Sequence, residues 1–107
     1  MPRVREFTDD LRSSNDPLYV RMRTLLAARG VDPATAWLAE MFEDDPNYEF
    51  GILVTGDRRV IEFGFHYPNG NVADGDFRDW VDRTRGWQLT PFREEIDEAF
   101  SHLEESP

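Results

Sequence analysis

The 107-residue sequence contains no cysteine. Disulfide frameworks, cysteine-based zinc sites and thiol catalysis are therefore excluded together. There is no lysine either, so all twelve basic residues are arginine. Arginine alone can signal bidentate anion recognition, but scattered helical arginines are usually solvated or paired, and codon usage in a GC-rich genome accounts for the bias. Histidine is scarce, at two residues, which leaves little for an imidazole metal site. No stretch approaches the ~20 apolar residues of a membrane-spanning helix. The first residues, MPRVREFTDD, lack the apolar core of a secretory signal. The expectation is a cytoplasmic protein, without a membrane partner. The glycines show no P-loop or dinucleotide spacing, and no serine sits in a nucleophile-elbow sequence. No catalytic residues and no cofactor are expected.

What the chain does have is charge of one sign. Twenty-two acids against twelve arginines give a net charge of −10. Residues 1–35 hold six Arg and five acids, whereas residues 36–107 hold six Arg and seventeen acids. That excess opposes non-specific nucleic-acid binding, which needs the other sign. Hydrophobic residues still make up 39% and aromatics 13%, enough to expect a packed core rather than a disordered chain. The length suits one domain spanning residues 1–107, with residues 1–15 and 104–107 expected to be loosely ordered.

Periodicity predicts an α+β fold. Asp16-Pro17 is a helix start, an Asp N-cap followed by Pro at the first helical position. Leu18, Met22, Leu25 and Leu26 then share one face, and Gly30 closes the helix. Asp32-Pro33 opens a second helical pattern with Ala34, Trp37, Leu38 and Met41, so an N-terminal helical hairpin is expected. From Tyr48 the period becomes alternating. Residues 48–55 and 58–67 around Gly56-Asp57 read as an antiparallel β-hairpin. A two-residue loop sets Ile52 opposite Ile61, Phe50 opposite Phe63 and Tyr48 opposite Phe65, with every large apolar side chain on one face. Residues 68–71 form a turn cluster that continues as a loop to 76. Two further helices, about 76–85 and 91–104, are expected to cover the apolar face of the ribbon, with 87–89 as a short third strand. The last helix has the cleanest face: Phe92, Ile96, Ala99, Phe100 and Leu103.

Three groups of residues invite a functional reading. Glu49, Glu62 and His66 fall together on the polar strand face in the expected register, where two carboxylates and an imidazole can move protons or bind a ligand. Glu98, His102 and Glu105 share a helix surface, best explained as neighbours stabilising an exposed helix; no metal is expected there. The loop 69–76 fails the EF-hand pattern, since Ala73 stands at the fifth position and Trp80 at the twelfth. The third group is acidic: Glu43, Asp44 and Asp45, then Glu94, Glu95 and Glu98, with Trp87 as the aromatic anchor of a contact. From these the preferred expectation is a protein-interaction domain that engages a basic protein. Small bacterial inhibitors, immunity proteins and antitoxins share this size and charge, an analogy of class alone. The alternatives are a small enzyme or ligand-binding domain using Glu49, Glu62 and His66, and a nucleic-acid mimic.

Overall fold

The computed structural model of the chain describes residues 3–45, 48–66 and 77–105, and, at 44, 45 and 77–79, the backbone alone. Helix α1 (Val4–Ser13) is followed by α2 (Pro17–Ala28), strands β1 (Trp37–Asp45), β2 (Tyr48–Val54), β3 (Val60–His66) and β4 (Phe77–Asp82), a 3₁₀ turn (Trp87–Leu89) and α3 (Arg93–Glu105). The strands form one antiparallel meander in the order β1-β2-β3-β4. The α+β class is as expected, with an N-terminal helical pair, a hairpin and a C-terminal helix.

Local chemistry explains the helix boundaries. Asp16 caps α2 by accepting a hydrogen bond from the Leu18 N–H at 2.9 Å, with Pro17 in the first turn. Gly30 follows the helix at φ +81°, a left-handed conformation that glycine adopts without a Cβ clash. Thr90 accepts from the Phe92 N–H at 3.0 Å just before α3.

Several expectations fail, each for a physical reason. The helical pair lies one element earlier than expected. Residues 4–13, expected to be loose, form α1 with Val4, Thr8 and Leu11 buried. The segment expected as the second helix is instead β1. Its run Trp37-Leu38-Ala39 is apolar because it is buried from both sides, and such a run has no period that separates strand from helix. Residues 77–82, expected within a helix, pair with β3 as β4. Tertiary pairing overrides a short helical pattern there, and Trp80 packs on Phe63 at 6.4 Å. Residues 87–89 are a 3₁₀ turn rather than a strand. Tyr67, the turn cluster at 68–71 and the loop to 76 lie outside the described residues, as do residues 106 and 107.

The hairpin register also differs by one residue. The Arg58 N–H donates to the Thr55 C=O at 2.9 Å, closing a turn, and the Thr55 N–H donates to the Arg59 C=O at 2.9 Å. Arg58, at φ +69°, is the extra residue. Leu53 therefore faces Ile61, Gly51 faces Phe63 and Glu49 faces Phe65, while Val54 faces Val60 and Ile52 faces Glu62. The large apolar side chains divide between the two faces instead of sharing one.

Both faces are covered. Leu38, Met41, Leu53, Ile61, Phe63 and Phe65 pack with Leu11 of α1 and Met22 and Leu26 of α2. On the other face Trp37, Ala39, Ile52, Val54 and Val60 pack with Val4 of α1 and Ile96 and Ala99 of α3. A one-residue bulge at Ala39 keeps Leu38 and Met41 on the α2 face. Gly51 leaves room for the Phe63 ring, since a Cβ there would sit 2.4 Å from it. Gly64 likewise leaves room for Tyr48, whose hydroxyl would lie 1.8 Å from an added Cβ.

Helix α1 also covers the edge of the sheet. The fully buried Thr8 hydroxyl accepts from the Leu38 N–H at 2.9 Å, and Arg12 Nη2 donates to the Ala36 C=O at 2.9 Å. An edge strand otherwise exposes such groups to pairing with another chain. Thr8→Val, which keeps the shape and removes the acceptor, is expected to cost about 1–3 kcal/mol by urea denaturation, the penalty of an orphaned buried N–H. Arg58→Gly is expected to add about 0.5–1 kcal/mol, because glycine accepts the left-handed conformation that costs a side chain.

Candidate functional site

The register decides the fate of the polar strand cluster. Glu49 lies on the α2 face, opposite Phe65, whereas Glu62 and His66 lie on the α3 face, opposite Ile52 and Tyr48. The sheet separates them, so the three do not form one site. Glu49 is buried at 8% exposure, Glu62 pairs with Arg83, and His66 meets the Tyr48 ring edge-on at 4.8 Å. Among the described residues, no group of three or more His, Asp or Glu is placed to hold a metal ion.

The acidic residues are gathered only in part. Helix α3 runs antiparallel to β1: its His102 end stacks on Trp37 at 4.5 Å, and Phe92, just before its first turn, packs on Phe42 at 5.7 Å. This arrangement brings Glu40 of β1 near Glu95 in the first turn of α3, whereas Glu43 pairs with Glu49 and so lies on the α2 face. Glu43 and Glu94 are exposed. Beside Glu40 and the first turn of α3 sit three half-buried rings, with Phe42 on Phe50 at 5.1 Å and Phe50 to Phe92 at 6.4 Å. Sequence reasoning placed Phe50 and Phe92 in the core and missed Phe42 altogether. The β1 pairing of Phe42 with Phe50 carries the trio, and it is invisible while residues 34–41 are read as a helix.

Trp87 is not at this end of the molecule. It is half-buried and packs on Phe100 at 5.6 Å, as part of the cover over the α3 face. Glu98 contacts His102 Nε2 at 3.4 Å, and Glu105 approaches Nδ1 at 3.8 Å, so the expected helix neighbours are present.

Next to the aromatic trio, two carboxylates are held close. Glu40 projects from β1 toward α3, where burial raises its pKa and the nearby Glu95 raises it further. The Met41 N–H, which donates to Glu40 Oε1 at 3.0 Å, and Arg3 act in the other direction without cancelling it. Glu95 Oε2 is buried without a hydrogen-bond partner. Two acids crowded at a helix N-terminus amount to a negative potential held in place by packing. Comparison of the chain with protein-family models, with curated proteins and with solved structures gives no match.

The raised Glu40 pKa has a definite sign. The folded protein holds this proton more tightly than the unfolded chain, so stability falls as pH rises from the ordinary carboxylate value, about 4.3, through the higher folded value. Glu40→Gln keeps the acceptor for Met41 and removes the charge. It is expected to be more stable than the parent at pH 7, by no more than about 1 kcal/mol because the group is partly solvated. The difference should vanish near pH 4, measured by urea denaturation at both pH values.

Proposed function

We propose that this chain is a small protein-interaction domain that binds a basic protein through its acidic, aromatic end. The observation that carries the reading is the Phe42, Phe50 and Phe92 trio flanked by Glu40 of β1 and by Glu94 and Glu95 in the first turn of α3. Aromatic side chains supply the contact energy at interface centres, and surrounding charge speeds encounter and selects the sign of the partner. Asp97 on α3 is also exposed, with no ion-pair partner among the described residues, and extends the negative field. An inhibitor, immunity protein or antitoxin would use such a surface to cap a basic partner in the cytoplasm. No helix among the described residues is long and apolar enough to cross a membrane, which is compatible with that setting.

The test is affinity capture from the native cells with the parent protein and with the double substitution Glu94→Arg, Asp97→Arg. Both positions are exposed on α3, so the variant is expected to fold. The parent should recover a basic protein that elutes with salt, and the variant should lose at least ~10-fold of it, the loss expected of a steering and rim charge pair. Recovery of the same protein by both forms, independent of salt, would refute the acidic surface as the binding element.

A further inference from the structure

At the other end of α3 and β1, a cleft of about 630 Å³ opens between the α2–β1 loop, the β2–β3 turn and Leu103. That volume lies within the roughly 300–1,000 Å³ typical of small-molecule sites. Its walls mix apolar surface, from Val31, Trp37 and Leu103, with Arg12, Arg58 and Arg59 and with two acids, Asp57 and Asp32, the latter accepting from the Ala34 N–H. Two of these cations already have acids. Arg58 meets Glu104 at 3.5 Å, and Arg59 meets Asp57 at 3.2 Å.

Arg12 is different. Its Nη2 donates to the Ala36 C=O and its guanidinium lies 4.6 Å over the Trp37 ring, yet no carboxylate stands within ion-pair distance among the described residues. Its Nε is buried without an acceptor. Burial lowers its pKa, opposed by the more distant Asp9 and Asp32, but arginine stays charged at any physiological pH. A partly desolvated cation without a counter-ion is costly, and here it occurs in a chain with ten excess negative charges. An anion entering the cleft would supply the guanidinium with the missing counter-charge.

We propose that this cleft binds a small organic carboxylate with a short apolar body, its anionic group held by the Arg12 guanidinium. The planar fork of arginine matches a carboxylate. One unpaired cation balances a monoanion better than a phosphate dianion, and the apolar walls receive the rest of the molecule. The site stands independently of the acidic end and of any protein partner there.

The test is a ¹⁵N NMR titration of the full chain with sodium benzoate, with its neutral analogue benzamide and with inorganic phosphate, all at one ionic strength. Benzoate is expected to shift the Arg12 Nε–H, the Trp37 indole N–H and the Gly56 amide saturably, with a Kd of about 1 mM, typical of so small a ligand. Benzamide, and benzoate with Arg12→Gln, should bind at least ~10-fold more weakly, since each removes the charge-assisted fork; phosphate should bind more weakly by a similar factor, since it has no apolar body for the walls to receive. If Arg12→Gln does not fold, the three ligands on the unaltered protein decide the question alone. Equal binding of benzamide or phosphate, or no saturable shift with benzoate up to roughly 50 mM, a concentration well above the expected Kd, overturns the site.

Discussion

Leu53, Ile61, Phe63 and Phe65 on one face of the β2–β3 hairpin, and Ile52, Val54 and Val60 on the other, are all fully buried. A ribbon apolar on both faces cannot lie against a single layer of helices, as a half-wet antiparallel sheet can. It needs cover above and below, which α1 with α2 and α3 provide. It also needs neighbours on both sides, because a lone hairpin is marginal in water. β1 and β4 supply these, and α1 then covers the β1 edge through Thr8 and Arg12. The remaining architecture follows from satisfying these seven side chains.

The same constraint explains what could be read from the sequence. Caps and turn residues act locally, so Asp16-Pro17, Gly30 and Thr90 mark their helix ends without knowledge of the fold. The α3 face was legible because only one side of that helix is buried. β1 was not legible, since Trp37, Leu38, Ala39 and Met41 are buried from two directions and the spacing then carries no period. β4 was hidden for another reason: its partner β3 lies eleven or more residues back, and pairing over that distance leaves no local mark. The register turned on a single residue. Arg58 in the left-handed region adds one position to the loop, and an arginine gives no sign of it where glycine or asparagine would.

The candidate site divides in the same way. Acidic composition is a property of the sequence, so Glu43, Asp44, Asp45, Glu94 and Glu95 could be named in advance. The approach of Glu40 to Glu95 could not, because it depends on α3 running antiparallel to a strand that had been read as a helix. Glu49, Glu62 and His66 show the converse. They alternate correctly in sequence, and the one-residue register shift puts the sheet between Glu49 and the other two.

Glu40 and Glu95 bear on why the acidic end has the form it does. Stability alone would not select two carboxylates beside each other under a helix, one of them with a buried and unpartnered oxygen. Natural proteins retain such local costs where function requires them, and offset them elsewhere in the fold. Here the offset is the packing of Ile96 and Ala99 against β1 and β2, which holds the N-terminus of α3 in place against the repulsion. Under the proposed reading, a cation delivered by a basic partner relieves that repulsion on binding. The free protein is destabilised relative to the complex at this point, and the difference adds to affinity without further contact area. The same relief favours the ionised form of Glu40, so binding and proton release at this end of the molecule are thermodynamically linked.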